Sequence, residues 1–158
     1  MTSKKEREKE FLERCVKPEG NTTRIDGSSD RKREAKRFKG LSDYHRKAVG
    51  DNLNGEAPLM AIVEGYYVML HKANQALSLA GFKSKSHECT LIGLRGIFNV
   101  PELADDLRRA YQERRNVDYY INPEKPKLEE FKSPEDFVEN IMKPFVQKVD
   151  EIIKDGFL

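Results

Sequence analysis

The 158-residue chain holds only two cysteines, Cys15 and Cys89, and they are too far apart for a cysteine-type metal motif. Both read as reduced thiols, the usual state in a cytosol. Histidine is equally scarce. His45, His71 and His87 stand alone, none paired at ligand spacing, and no carboxylate-rich metal box accompanies them. No metal and no cofactor is therefore expected. No apolar run approaches the roughly 18 residues a membrane span needs, because Glu64 interrupts the best candidate. The N-terminal MTSKKEREKE lacks the apolar segment of a signal peptide, so none is expected. A glycine-rich phosphate loop and a nucleophile elbow are also missing. So is a charge excess: Lys and Arg total 29 against 27 Asp and Glu, a formal net charge of +2. That balance does not suggest a strong non-specific polyanion binder, although local patches still matter. Neither an internal repeat nor a strand-like alternation of useful length is present.

What remains is helical periodicity. The stretch Ala57–Ala80, APLMAIVEGYYVMLHKANQALSLA, carries two adjacent apolar stripes at three- and four-residue steps. One comprises Met60, Val63, Tyr67, Leu70 and Leu77; the other includes Leu59, Ile62, Tyr66, Met69 and Ala73. Side chains at that spacing share a helix face. Only Glu64, His71, Gln75 and Ser78 form a polar wedge, so other helices must surround this one. Before it, a helix is predicted from about Arg31 to Leu53, capped by Asp30, with Phe38, Leu41, His45 and Ala48 facing inward. His45 reads as a packed, hydrogen-bonded histidine. The basic first half of that helix, RKREAKRFK, is preferred as a solvated face over a phosphate-facing patch.

Gly81 suits the residue after the central helix. Ser84 or Ser86 can cap a third helix from His87 to Phe98, where Gly93 and Gly96 would let another helix approach closely. A fourth helix opens at Pro101 and ends near Tyr119, before NPEKP. Its inner face is Leu103, Leu107, Ala110, Tyr111 and Val117. The last starts at Ser133-Pro134, must be kinked or interrupted by Pro144, and stops at Gly156. Residues 1–30 read as a charged helix and loop appendage, docked or loose, and 31–158 as the bundle. The expected fold is all-α, an up-and-down bundle of four to five helices in a cytoplasmic protein, with no membrane association.

One cluster carries chemistry: Ala110-Tyr111-Gln112-Glu113-Arg114-Arg115-Asn116-Val117-Asp118-Tyr119-Tyr120. Asp118 lies four residues from Arg114 and three from Arg115, so either can pair with it. As a structural feature this is an exposed ion pair worth a few tenths of a kcal/mol, with Tyr119 and Tyr120 capping the helix end. As a functional feature it is a phosphate site, because guanidinium groups fork onto phosphate oxygens and tyrosines stack on bases.

The segment GYYVMLHKANQALSLAGFKSKSHECT, followed by AYQERRNVDYY, resembles the HEPN family (higher eukaryotes and prokaryotes nucleotide-binding). The shared features are a Tyr-Tyr-rich second helix, a Gly after an Ala/Leu-rich end, a Ser-His opening the third helix and an Arg motif late in the fourth. The resemblance covers residues 31 to 155. It implies a bundle like the substrate-binding domains that accompany nucleotidyltransferases, usually a homodimer with its motif helices facing one cleft. Active members are metal-independent ribonucleases, often the toxin of a toxin–antitoxin pair, whose motif runs from an Arg and a polar residue to a His. Inactive members bind nucleotides or a small nucleotidyltransferase partner.

Arg115-Asn116 matches the start of that motif, but the His is missing. Asp118, Tyr119 or Tyr120 takes its place, depending on register. If Asp118 does, Tyr120 falls where the partner of some toxins attaches a nucleotide. An ordinary tyrosine titrates near pH 10 and an ordinary aspartate near about 3.9, and neither suits acid–base work at neutrality. Ribonuclease activity is therefore expected to be absent or very weak. The resemblance implies that Arg114, Arg115, Asn116, Asp118, Tyr119 and Tyr120, with His87 nearby, line a nucleotide, RNA or partner site. The alternatives are a ribonuclease toxin using Arg115, Asn116, Asp118 and Tyr120, and a structural dimeric scaffold.

Overall fold

The computed structural model describes residues 3–17, 21–119 and 128–157. It is an all-α bundle with one small two-stranded ribbon. In order come α1 (Lys4–Phe11), β1 (Thr22–Arg24), α2 (Ser28–Leu53), α3 (Met60–Leu79), β2 (Phe82–Ser84), α4 (His87–Gly96), α5 (Pro101–Tyr119), α6 (Pro134–Phe137) and α7 (Lys143–Phe157). Among these, none is long and apolar enough to cross a membrane.

Helix α3 occupies the middle, with α2, α5 and α7 packed on it. Ala61, Ile62, Val68, Met69, Ala73 and Leu77 are sealed from solvent. Removing each larger aliphatic side chain from water contributes roughly 1.5–3 kcal/mol. Half of the polar wedge of α3 is withdrawn from water, while Glu64 and His71 stay partly exposed. Ser78 is fully buried and Gln75 nearly so. The buried Lys72 ammonium donates to Gln75 and to Asp150 of α7, both at 2.9 Å. Polar side chains persist inside a bundle when neighbours supply partners; here Asp150 of α7 serves Lys72 and Thr90 of α4 donates to Asn74, while the Ser78 hydroxyl has no partner among the described residues.

Helices α2 and α3 run antiparallel. Phe38 lies against His71, the Ser42 hydroxyl donates to the Val68 carbonyl at 3.0 Å, and His45 pairs with Glu64. The buried face of α2 is rotated from the expected stripe toward Ala35, Phe38, Ser42 and Val49. This helix also starts earlier than expected, at Ser28, with Gly27 in the cap position. Asp30 is a first-turn residue paired with Arg33 at 2.9 Å, where a carboxylate opposes the positive end of the helix dipole. Ser133 caps α6 by accepting from the Asp136 N–H. The interruption expected at Pro144 takes the form of a π-helical turn, Val138–Met142, just before it. Proline lacks the N–H for a regular turn and its ring crowds the carbonyl four residues back. The chain then continues helical through Gly156 to Phe157 rather than stopping at the glycine.

The N-terminal segment is docked. Phe11 is fully buried and meets the Phe82 ring edge-on at 5.1 Å. The close approach expected at Gly93 and Gly96 is made by α3 and α1: a Cβ on Gly93 would stand 2.9 Å from Leu77 of α3, and one on Gly96 2.6 Å from the Arg7 carbonyl oxygen of α1. Strand β1 pairs antiparallel with β2, Thr23 opposite Lys83. These contacts carry Cys15 to the start of α4. There it forms a disulfide with Cys89, Cα to Cα 5.7 Å. The expectation of two reduced thiols is thus corrected. Their separation of 74 positions gave no sign of the pairing, because tertiary docking creates it.

Gly65 admits α6 to the core, since a Cβ there would lie 2.5 Å from the Phe137 ring, itself fully buried. Gly65→Val is expected to lower stability by about 3 kcal/mol through overpacking, read by urea unfolding. No loss, or a gain from improved helix propensity, would contradict this tight fit.

Candidate functional site

Helix α5 buries Leu103, Leu107, Ala110 and Val117. Glu113 falls on the same stripe, three residues after Ala110 and four before Val117, and is fully buried. Its carboxylate accepts four hydrogen bonds. The Asn116 amide donates at 2.9 Å, and the backbone N–H groups of Glu129, Glu130 and Phe131 donate at 3.1, 2.6 and 3.1 Å. A buried carboxylate is tolerated when its lone pairs are filled in this way. Glu113 thereby fixes residues 129–131 against α5.

The two arginines that follow point apart, as a 100° step per residue dictates. Arg114 turns toward α3, its guanidinium 5.5 Å from the Tyr66 ring centre and 5.3 Å from that of Tyr67. Its Nε lies 3.2 Å from Asp118, so of the two pairings open to Asp118 the structure forms this one. Arg115 turns outward, 5.7 Å from the ring centres of both Tyr111 and Tyr119. It lines an open groove of about 510 Å³ with Gln112, Asn116, Tyr119 and Glu129. Tyr119 is 75% exposed there. Asn116 borders the groove while its amide already serves Glu113. Tyr120 lies outside the described residues.

His87 belongs to the Arg114 side. Its Nδ1 is 2.9 Å from the Tyr66 hydroxyl and its ring stacks on Tyr111 at 4.0 Å. Burial lowers its pKa to about 4, with Glu88 opposing and Arg114 reinforcing the shift. The direction is the one expected for a histidine at a helix start, but burial is the main cause. Burial also pushes the Tyr66 phenol well above its ordinary value, against the pull of Arg114. The aromatic seam continues through Tyr67 to His45, held by Glu64 at 2.5 Å, and to His71. Burial first, then His45 and Arg37, lowers the His71 pKa to about 4.

Two neutral imidazoles make the fold acid-sensitive. Each folded-state pKa is below the unfolded value, so the unfolded chain binds more protons between pH 6.5 and 4. Their contribution is complete above pH 6.5 and lost as the pH falls toward 4. Unfolding free energy should therefore drop through that window, and a His71→Gln/His87→Gln variant should show a shallower slope in urea titrations at each pH.

The structure thus divides the expected site residues into two groups. Arg115, Asn116 and Tyr119 share the groove; Arg114 and His87 meet at Tyr66, with Asp118 paired to Arg114. Glu113 and the ring seats Tyr66, Tyr67 and Tyr111 carried no site role in the sequence reading. Glu113 had a signal, a carboxylate in an apolar stripe. The tyrosines had none, because at helical spacing they read as core. Among the described residues no cluster of three His, Cys, Asp or Glu side chains could hold a metal ion. No protein-family model matches the sequence, and neither a curated protein nor a solved structure matches the chain.

Proposed function

We propose that this chain is a non-catalytic HEPN-type module that binds a nucleotide or a short single-stranded RNA in the groove at Arg115. The observation that carries this reading is the placement of Arg115 between the rings of Tyr111 and Tyr119, beside an open groove of about 510 Å³. A guanidinium forks onto phosphate oxygens, an exposed tyrosine offers a base a stacking face, and Gln112 adds amide groups for a base edge. Arg114 is already engaged by Asp118 and two rings, so it shapes the site more than it binds. The family reading also implies a homodimer and a small nucleotidyltransferase as a partner.

Fluorescence anisotropy with a labelled oligoribonucleotide tests it. Arg115→Ala should weaken binding about 10-fold or more, and Tyr119→Ala by about 5-fold or more, the usual range for one charge-assisted contact and one stacked base. Equal affinity for parent and both variants would overturn the assignment.

A ribonuclease is the second reading, and His87 is what favours it, since it supplies an imidazole on the Arg114 side that the motif itself lacks. With a pKa of about 4 and its Nδ1 at the Tyr66 hydroxyl, that imidazole is a weak base at neutrality. Cleavage of total RNA by the parent, lost in Arg115→Ala, would install the second reading in place of the first.

A further inference from the structure

A separate cavity of about 240 Å³ lies between α2, the end of α3 and the start of α4, sharing no lining residue with the Arg115 groove. Lys83, in the middle of β2, and Lys85, just beyond its end, both line it. Arg37 meets them from α2, and His71 and His87 complete the walls. The basic run in the first half of α2 therefore has two fates: most of it is solvated, while Arg37 faces this cavity.

Two of the cations, Arg37 and Lys83, are held in place. Glu34, one turn before Arg37, takes the Arg37 Nε at 3.2 Å and the Lys83 ammonium at 3.5 Å. Burial alone would raise the Glu34 carboxyl, but these two cations bring it below its ordinary value. Arg37 is further seated over the Phe38 ring at 4.6 Å. One carboxylate against three cations leaves a surplus of two positive charges. The N-terminus of α4 adds the positive end of its dipole, with Ser86 as cap. Two ring nitrogens of the lining, His71 Nδ1 and His87 Nε2, are buried and have no hydrogen-bond partner among the described residues.

We propose that this cavity binds a phosphomonoester, such as the terminal phosphate of a nucleotide. A phosphomonoester carries close to two negative charges at neutral pH, matching the surplus, whereas a phosphodiester carries one. The volume lies below the roughly 300–1,000 Å³ of pockets that enclose whole drug-sized ligands, so it suits a phosphate and part of its sugar.

Isothermal titration calorimetry at constant ionic strength tests this, with 5′-AMP, inorganic phosphate and adenosine as probes. AMP and phosphate should bind and adenosine should not. Lys83→Ala/Lys85→Ala should weaken AMP at least 10-fold, and by the same factor in an Arg115→Ala background. The exposed Lys85 has no ion-pair partner among the described residues, so Lys85→Gln serves as a second variant that leaves Glu34 and its cations intact, and a 3-fold loss is expected from it alone. Adenosine binding as tightly as AMP, no heat from AMP or phosphate, or unchanged AMP affinity in Lys85→Gln would each overturn the proposal. Loss of AMP binding only in Arg115→Ala would also overturn it while leaving the groove reading standing.

Discussion

Replacing Glu113 by alanine is expected to lower the unfolding free energy by about 4 kcal/mol. The substitution strands the backbone N–H groups of residues 129–131, all of which donate to this one carboxylate. A buried donor left unpaired costs about 1–3 kcal/mol, and bonds to a charged acceptor lie at the upper end. Relaxation of the 128–131 segment into solvent limits the sum. Glu113→Gln keeps an acceptor oxygen and should cost about half as much. Urea unfolding of the three proteins decides it. If alanine and glutamine are equally mild, below about 1 kcal/mol, the carboxylate does not anchor this segment.

Opening the Cys15–Cys89 bond should be comparably expensive. Cross-linking residues 74 apart removes chain entropy from the unfolded state worth about 4 kcal/mol. Denaturation midpoints with and without dithiothreitol should differ accordingly for the parent. They should coincide for Cys15→Ser/Cys89→Ser, which should match the reduced parent. A parent insensitive to reductant, or free thiols found by alkylation and mass measurement of the untreated protein, would contradict the pairing. Because α1 packs against α4 and Phe11 is buried in the same small cluster, the N-terminal segment should be the first to loosen when the bond opens.

The helical architecture was legible because its signals are local. Period, capping and punctuation placed α5 at Pro101–Tyr119, put Ser133 at a cap and fixed Gly81 as the turn after α3, where its φ of +97° disfavours any side chain. What escaped were features made by distant parts of the chain. The disulfide needs α1 to dock; the β1–β2 ribbon is three residues per strand, too short for alternation to register. At the candidate site, the sequence singled out a segment but not how its side chains divide. Arg114 and Arg115 look interchangeable in a string, yet one step of helix rotation sends one onto the Tyr66–Tyr67 rings and the other to solvent. Asn116 looked like a ligand group because nothing in its neighbourhood reveals that Glu113 takes its amide. His87 was placed near the arginines by resemblance alone; its contact with Tyr66 and Tyr111 is a product of packing between α3, α4 and α5.

The enclosure of α3 also bears on how this sequence can change over evolutionary time. Of its twenty residues, fourteen are buried, and these include Lys72, Asn74, Gln75 and Ser78. A helix with so little outward surface offers drift few neutral positions, since a change of size or polarity meets a neighbour on nearly every side. Divergence among descendants of this chain should accumulate on the outer faces of α2, α5 and α7, leaving the middle helix as the slowest-changing record of common ancestry.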